Sequence, residues 1–380
     1  MRLERSIPTE ALDAIRAPLL TAGAAPTDAP VLQPLGLLLD LAGEAMRSRL
    51  FVVSGDASEE LCLRPDFTVA IARAHLERGS LEKNGGEGRY LYEGKAFRVA
   101  PRGSDRAEEF LQIGVEAFEA ADPSQADAEI AALAWASAVA GGRDDLTLLL
   151  GDVGLFGAFV DSLGLTPPLG ARLKRAFTKP RRLRIELEGG AAVTGDQSRI
   201  AALLAGLPEA EASAVLQELW SLAGIEPVGG RRPAEIAHRL VERAEAARAG
   251  SLSTDEADAV RAFLAVSDRP GAALDAISAL GGPQRGALDA ALDGWRQRLA
   301  GMAARGAPED RMRLTAAFGR AFGYYDGFLF EVRSDALGDD RPVAAGGRYD
   351  GLLARLGGAT NTGAVGCMVR PARAYAGGGE

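Results

Sequence analysis

Apolar positions recur along this chain with two different periods, and each predicts its own kind of element. A spacing of three and four marks a helix over Thr9–Leu20, followed by small residues and prolines to Pro30. Val31-Leu32-Gln33-Pro34 opens an apolar, helix-like run, and Arg49–Val53 then reads as a strand. Leu61–Pro65 is a second strand, stopped by its proline. Asp66–Leu76 is helical, with Val69, Ile71, Ala72 and His75 as near-face neighbours, and Gly79–Gly88 is a polar loop. From Arg89 to Phe118 the period shortens to two. Tyr90–Tyr92 and Ala96–Val99 lead into the turn signal Ala100–Asp105, and Phe110–Phe118 returns extended, which predicts an antiparallel hairpin. Ala126–Val139 is a helix and Leu146–Leu150 a short buried strand.

Between about Gly157 and Pro308 helix follows helix. Ser253-Thr254-Asp255-Glu256 has the form of a capping box, with Val260, Phe263 and Leu264 behind it at helical spacing. Leu288, Leu292, Trp295, Leu299 and Met302 alternate by four and three, the stripe of a packed helix. Strand character returns after Arg311: Tyr324–Gly327 reads as a turn, Phe328–Val332 as a half-buried strand and Gly346–Gly351 as another turn. Strands at both ends with helices between predict one antiparallel α+β core split by a helical insertion, with the core at 1–156 and 310–380 and the insertion at 157–309.

Composition narrows the chemistry. The 380 residues exceed what one compact core usually holds, and a net charge of −9 argues against a general nucleic-acid binder. Two cysteines cannot form a disulfide framework and suit a reducing cytosol, so a cytoplasmic location is expected. No basic-then-apolar leader opens the chain, and its longest weakly apolar run falls well short of the ~20 residues of a membrane span. His75 and His238 stand alone, without a CxxC or HExxH motif, so no metal site is expected. Neither GxSxG nor a GxxxxGK[ST] phosphate loop occurs. The one basic run, Arg172–Arg184, carries seven positive side chains and reads as a solvated face before it reads as an RNA or protein contact.

Four segments place charged or hydroxyl groups on predicted strands and turns: Leu63–Thr68, Phe97-Arg98 with Gln112 and Glu116, Arg320 with Tyr324-Tyr325, and Gly346–Gly351. The period of two puts Gln112, Gly114 and Glu116 on one strand face. A core-facing Glu116 needs a partner, because an unpaired buried carboxylate is expensive. That partner is either a ligand with a cation or N–H donors, or Arg98 or Arg320 acting as structural glue. The glycine pair before Arg348 either admits a ligand to the backbone or makes a tight turn.

Taken in order, these segments resemble the histidyl-tRNA synthetase catalytic domain, a class II synthetase fold, over roughly residues 5–155 and 310–375. The resemblance rests on Ala344–Gly351 (AAGGRYDG), on Phe97-Arg98 with Phe110–Glu116, and on Arg320–Tyr325; Val31–Pro34 is similar to the class II dimer-interface motif. It implies a histidine pocket in which Asp66, Thr68 and Gln112 hold the α-amino group. Glu116 and Tyr325 would bond the imidazole nitrogens, Arg320 would face the carboxylate, and Tyr324 and Tyr349 would complete the wall. Arg98 and Arg373 match the family's phosphate-binding arginines. Ala100-Pro101 replaces the Glu-Arg pair expected after Arg98, Glu108 stands where an arginine is usual, and Arg370 replaces a glycine that leaves room for the nucleotide. The chain also ends at Glu380, where such a synthetase continues into an anticodon-binding domain, which leaves an acidic protein little means of selecting a tRNA.

Both departures resemble the synthetase's paralogue, the family of regulatory subunits of ATP phosphoribosyltransferase. Leu63–Thr68 and Ala364–Pro371 are similar to its phrases. Membership implies a homodimer, joined with a short-form catalytic subunit in a hetero-octamer. The complex catalyses the first step of histidine biosynthesis, with histidine as feedback effector. The resemblance implies no cofactor, no membrane association and no aminoacylation. Arg98, Arg320 and Arg373 also fit a truncated synthetase-like enzyme that activates histidine with ATP, and an assembly scaffold with an idle pocket is a third expectation.

Overall fold

The computed structural model describes residues 2–54, 60–82, 87–189, 250–319, 324–358 and 362–377, with positions 211, 214, 215 and 218. The chain divides into two compact units: Met1–Ala158 with Phe263–Leu280 and Gly286–Glu380, and Phe159–Ala262 with Gly281–Arg285.

The larger unit is organised by one mixed sheet. Its strands are β1 (Ala25–Pro26), β5 (Gly88–Phe97), β6 (Glu109–Phe118), β7 (Leu146–Asp152), β8 (Ser267–Asp268), β9 (Met312–Thr315), β10 (Phe328–Ser334), β11 (Ala344–Arg348) and β12 (Ala364–Val369). They lie in the order β1-β5-β6-β12-β11-β10-β7-β9-β8. Pairing is antiparallel through the centre and parallel only at β1–β5 and β7–β9. The predicted hairpin is present as β5–β6, in register from Gly88↔Phe118 to Phe97↔Glu109. A smaller sheet holds β2 (Leu32–Pro34), β4 (Leu61–Leu63) and β3 (Val52–Val53), with β4 in the middle.

Helix α1 (Thr9–Leu20) has the predicted bounds. Helix α4 (Pro123–Ala140) starts where Asp122 accepts the Gln125 N–H at 3.1 Å, with proline in its first turn. Its alanines let it lie close against β10, β11 and β12 and against a later helix, α10 (Gly286–Ala304). The stripe Leu288, Leu292, Trp295 and Met302 of α10 is buried, and Trp295 Nε1 donates to Asp152 at 2.9 Å.

Several expectations shift here. Gly346–Gly351 is not a turn: Gly346, Gly347 and Arg348 belong to β11, paired with β10 and β12, and glycine is needed there because a Cβ at Gly346 would overlap the Gly366 carbonyl. Phe328–Val332 is buried throughout rather than on one face, as expected of a central strand covered by helices. Val31–Pro34 passes through β2 before α2 (Leu35–Ala42) begins, and a 3₁₀ turn over Glu44–Arg49 leaves only Val52-Val53 as strand. Helix α3 (Thr68–Glu82) continues past Gly79.

The second unit contains α6 (Pro167–Ala176) and α7 (Pro180–Leu187) with Leu169, Leu173, Phe177 and Leu183 buried. Arg172 meets Glu186 at 2.8 Å and Lys174 meets Asp161 at 2.6 Å. The capping box forms: Ser253 N–H donates to Glu256 at 2.7 Å, and Glu256 N–H to Ser253 Oγ at 3.3 Å. Of the stretch expected as insertion, 263–280 and 286–309 cluster with the sheet unit rather than with these helices.

Candidate functional site

The site is built on β6, which lies between β5 and β12. The register sets Tyr90 and Gly366 on either side of Glu116, and Tyr92 and Met368 on either side of Gly114. Glu116 is 1% exposed. Proline at position 65 ends the preceding extended segment, and α3 begins at Thr68, whose hydroxyl donates to Glu116 Oε1 at 2.8 Å. Tyr349 follows β11, where its N–H donates to Ala364 O at 2.8 Å, and its phenol donates to Glu116 Oε2. Among the described residues, the hydrogen-bond donors on Glu116 are thus two neutral hydroxyls, and Arg98 is not one of them.

Two hydroxyl donors do not offset the loss of water. Burial pushes the Glu116 carboxyl up to about 8, against the two hydrogen bonds, and the nearby Asp66 charge pushes the same way. Burial and the neighbouring Glu116 charge push the Tyr349 and Tyr92 phenols well above their ordinary range.

A cleft open to solvent lies over this carboxyl, lined by Asp66, Thr68, Tyr92, Arg98, Glu116, Tyr324, Tyr325, Gly366, Cys367 and Met368. Arg98 Nε donates to Pro65 O at 2.8 Å, and its guanidinium stands 3.9 Å from Asp66. The rings of Tyr324 and Tyr325 lie 4.8 Å apart, and each is about 6 Å from Tyr349. A second, mostly apolar cleft, lined by Leu38, Leu41, Met46, Leu50, Pro65 and Val69, shares Asp66 and Tyr324 with the first.

Of the residues singled out from sequence, Asp66, Thr68, Arg98, Glu116, Tyr324 and Tyr325 line one cavity. Tyr349 stands behind Glu116 rather than on the wall. Gln112 is fully buried, is absent from the lining, and has no hydrogen-bond partner on either side-chain polar atom. Arg373 is also absent from the lining: it is buried, with Nη1 donating to Pro342 O at 3.2 Å. Arg320 lies outside the described residues.

Sequence reasoning missed Tyr92 and the β12 backbone. Tyr92 stacks on Phe67 with centroids 4.5 Å apart and donates its hydroxyl to Cys367 O at 3.1 Å. Counting the hairpin register back from Glu116 reaches it. Gly366 and Gly114 are required there: a Cβ on Gly366 would overlap Glu116 Oε2, and one on Gly114 would overlap the Tyr92 hydroxyl. Among the described residues no group of three His, Cys, Asp or Glu side chains is placed to hold a metal, and no helix is long and apolar enough to cross a membrane.

Comparisons with known proteins show the family and the fold. The family model described as Histidyl-tRNA synthetase matches residues 21–228 and 234–373. The chain is 37% identical over 352 residues to an ATP phosphoribosyltransferase regulatory subunit from Mesorhizobium japonicum, covering 89% of each. It is 33% identical to one from Brucella canis, covering 91% of each. Among solved structures, an ATP phosphoribosyltransferase regulatory subunit/histidyl-tRNA synthetase from Bacillus halodurans aligns over 99% of this chain and 81% of its own, with TM-score 0.66 at 20% identity. Histidyl-tRNA synthetase from Nostoc aligns over 96% of this chain and 70% of its own, with TM-score 0.59 at 16% identity. The solved structures carry the fold and the sequence relatives carry the kinship: this chain belongs to the family of ATP phosphoribosyltransferase regulatory subunits, on a histidyl-tRNA synthetase-like scaffold.

Proposed function

We propose that this chain is the non-catalytic regulatory subunit of ATP phosphoribosyltransferase. In this reading it activates a short catalytic subunit in the cytoplasm and makes the first step of histidine biosynthesis answer to histidine. Kinship over about nine-tenths of the chain supports the partnership. One observation carries the effector: a fully buried, half-satisfied carboxylate, Glu116, at the floor of a cavity walled by tyrosines and Asp66. An imidazole donating N–H to Glu116 supplies what two hydroxyls do not, while Asp66 and Thr68 receive the α-amino group. By the family resemblance, Gln112 would join them and Arg320 would meet the ligand carboxylate.

Regulation requires that histidine bind one state of the complex better than the other, since a ligand with equal affinity for both shifts nothing. A coupling of about 1–3 kcal/mol is ordinary for such linkage. Val31, Leu32, Val52 and Val53, each exposed on or beside the small sheet, give the chain apolar surface suited to a homodimer, and the hetero-octamer follows from the family resemblance. Arg98 on the cavity wall is what the alternative, histidine activation with ATP, has in its favour, while Arg373, the other arginine the resemblance assigns to phosphate, is not part of that wall.

Reconstitution tests the reading. The purified chain is mixed with the short catalytic subunit, and phosphoribosyl-ATP formation is followed with and without histidine. Activity that requires this chain and falls with histidine is expected. Activity indifferent to the chain overturns the reading, and histidine-dependent ATP–pyrophosphate exchange by the chain alone overturns it in favour of the enzyme.

A further inference from the structure

The start of β6 extends beyond its neighbour β12, whose pairing stops at Val369 opposite Ile113. The segment Arg2–Glu4 takes that edge. Leu3 forms a parallel bridge with Glu109, Glu4 N–H donates to Glu109 O at 3.1 Å, and the N–H groups of Glu108 and Glu109 donate to Arg2 O at 2.8 and 3.2 Å. So short an added strand holds weakly by itself, and apolar burial does not help it, because Leu3 is 67% exposed.

The anchor is one carboxylate. Glu4 Oε2 accepts the Leu111 N–H at 2.9 Å and Oε1 accepts from Arg370 Nη2 at 2.6 Å, with both side chains only 4% exposed. The Arg370 guanidinium lies 3.7 Å from the centroid of the buried Phe110 ring, and that of Arg98 lies 5.5 Å from the same centroid. A guanidinium on an aromatic face beside an aimed backbone N–H is the chemistry of an anion site. Here the anion comes from the chain itself. Glu108 fastens the segment a second time, accepting the N–H of Arg2 at 3.0 Å and of Ala100 at 3.3 Å, and these bonds hold its carboxyl below the usual range. Glu108 and Arg370, two of the departures from the synthetase pattern, are thus both partners of this segment.

We propose that Arg2–Arg5 is a releasable strap whose Glu4 carboxylate occupies an anion site formed by Arg370, the Leu111 N–H and Phe110, so that a soluble anion of the phosphate class competes with the strap for it. The proposal goes beyond the regulatory reading and does not depend on histidine binding. Strap and anion exclude each other: anion binding releases Glu4 and exposes the chain at Arg5, and removing the Glu4 charge opens the site.

Inorganic pyrophosphate is the probe, with the full chain and its variants studied by titration calorimetry and by trypsin cleavage after Arg5. Glu4→Ala and the size-conserving Glu4→Gln both bind pyrophosphate at least about tenfold more tightly than the parent, since each removes the competing charge. Adding Arg370→Met to Glu4→Ala abolishes that gain. In the parent, pyrophosphate speeds cleavage at Arg5. Thermal unfolding confirms which variants are folded, and Glu4→Gln serves where Glu4→Ala is not. Equal affinity in parent and folded Glu4 variants, binding that survives Arg370→Met, or no pyrophosphate binding by any folded variant overturns the proposal.

Discussion

The buried carboxyl of Glu116 makes histidine affinity depend on pH in a way that can be worked out in advance. With its pKa at about 8 the group is largely protonated near neutrality, while the imidazole of free histidine titrates near 6.5. A bound pair that shares one proton between imidazole and carboxyl therefore forms without net proton exchange between these two values. Below about 6.5 the separated partners together hold one proton too many, and above about 8 one too few. Affinity is thus level between them and falls on both sides, by about tenfold for each full pH unit beyond either limb, or about 1.4 kcal/mol. Glu116→Gln removes the charged bond, which costs about 1.5–3 kcal/mol, or roughly tenfold to a hundredfold in affinity at pH 7.

The assay is calorimetric titration of histidine into the parent and Glu116→Gln from pH 6 to 9.5. Taking the ratio of the two affinities at each pH cancels the titration of the ligand's own α-amino group. The ratio should decline above pH 8. A ratio that stays flat through pH 9.5, or a Gln variant that binds as well as the parent at pH 7, would refute the pairing of Glu116 with the imidazole.

The same carboxyl also shapes stability. Because its folded pKa lies above the ordinary glutamate value of 4.5, the folded chain holds more protons between 4.5 and about 8. Its contribution is complete below 4.5 and lost as pH rises to about 8, so Glu116→Gln should gain on the parent in thermal unfolding at pH 8 relative to pH 5. Tyr349→Phe removes one of Glu116's donors and should cost about 1–3 kcal/mol in urea unfolding, with histidine binding weakened alongside. Gly366→Ala places a methyl group on the Glu116 carboxylate, and loss of histidine binding in a chain that still folds is the expected result in calorimetry. Asp127 is fully buried between Arg348 and Arg298, so Arg348→Met should destabilise by about 3–5 kcal/mol in the same unfolding assay, because a buried charge loses a partner.

Local chemistry determined what could be read along the chain. Thr9–Leu20, the β5–β6 hairpin and the Ser253–Glu256 cap were legible because period, turn residues and capping act within a few positions. The demand of Glu116 for a partner was legible too, since an alternating strand turns one face inward whatever lies opposite. The partner itself was not: the phenol of Tyr349 reaches Glu116 from 233 residues away. Gly346-Gly347-Arg348 looks like a turn until its neighbours are known: it pairs with β10 and β12 as a central strand, and Gly366 and Phe330 leave no room for a side chain at Gly346. Helix α10 carries the period of any packed helix, and its packing on α4, with Trp295 buried against Asp152, joins it to the sheet unit. Glu4 carries no signal at all until the fold sets Arg370 beside it. Sequence alone determined those elements that local period, turn and capping chemistry specify. Tertiary structure decided which groups meet, because register between strands far apart in the chain is set by side-chain fit across the sheet and leaves no local trace.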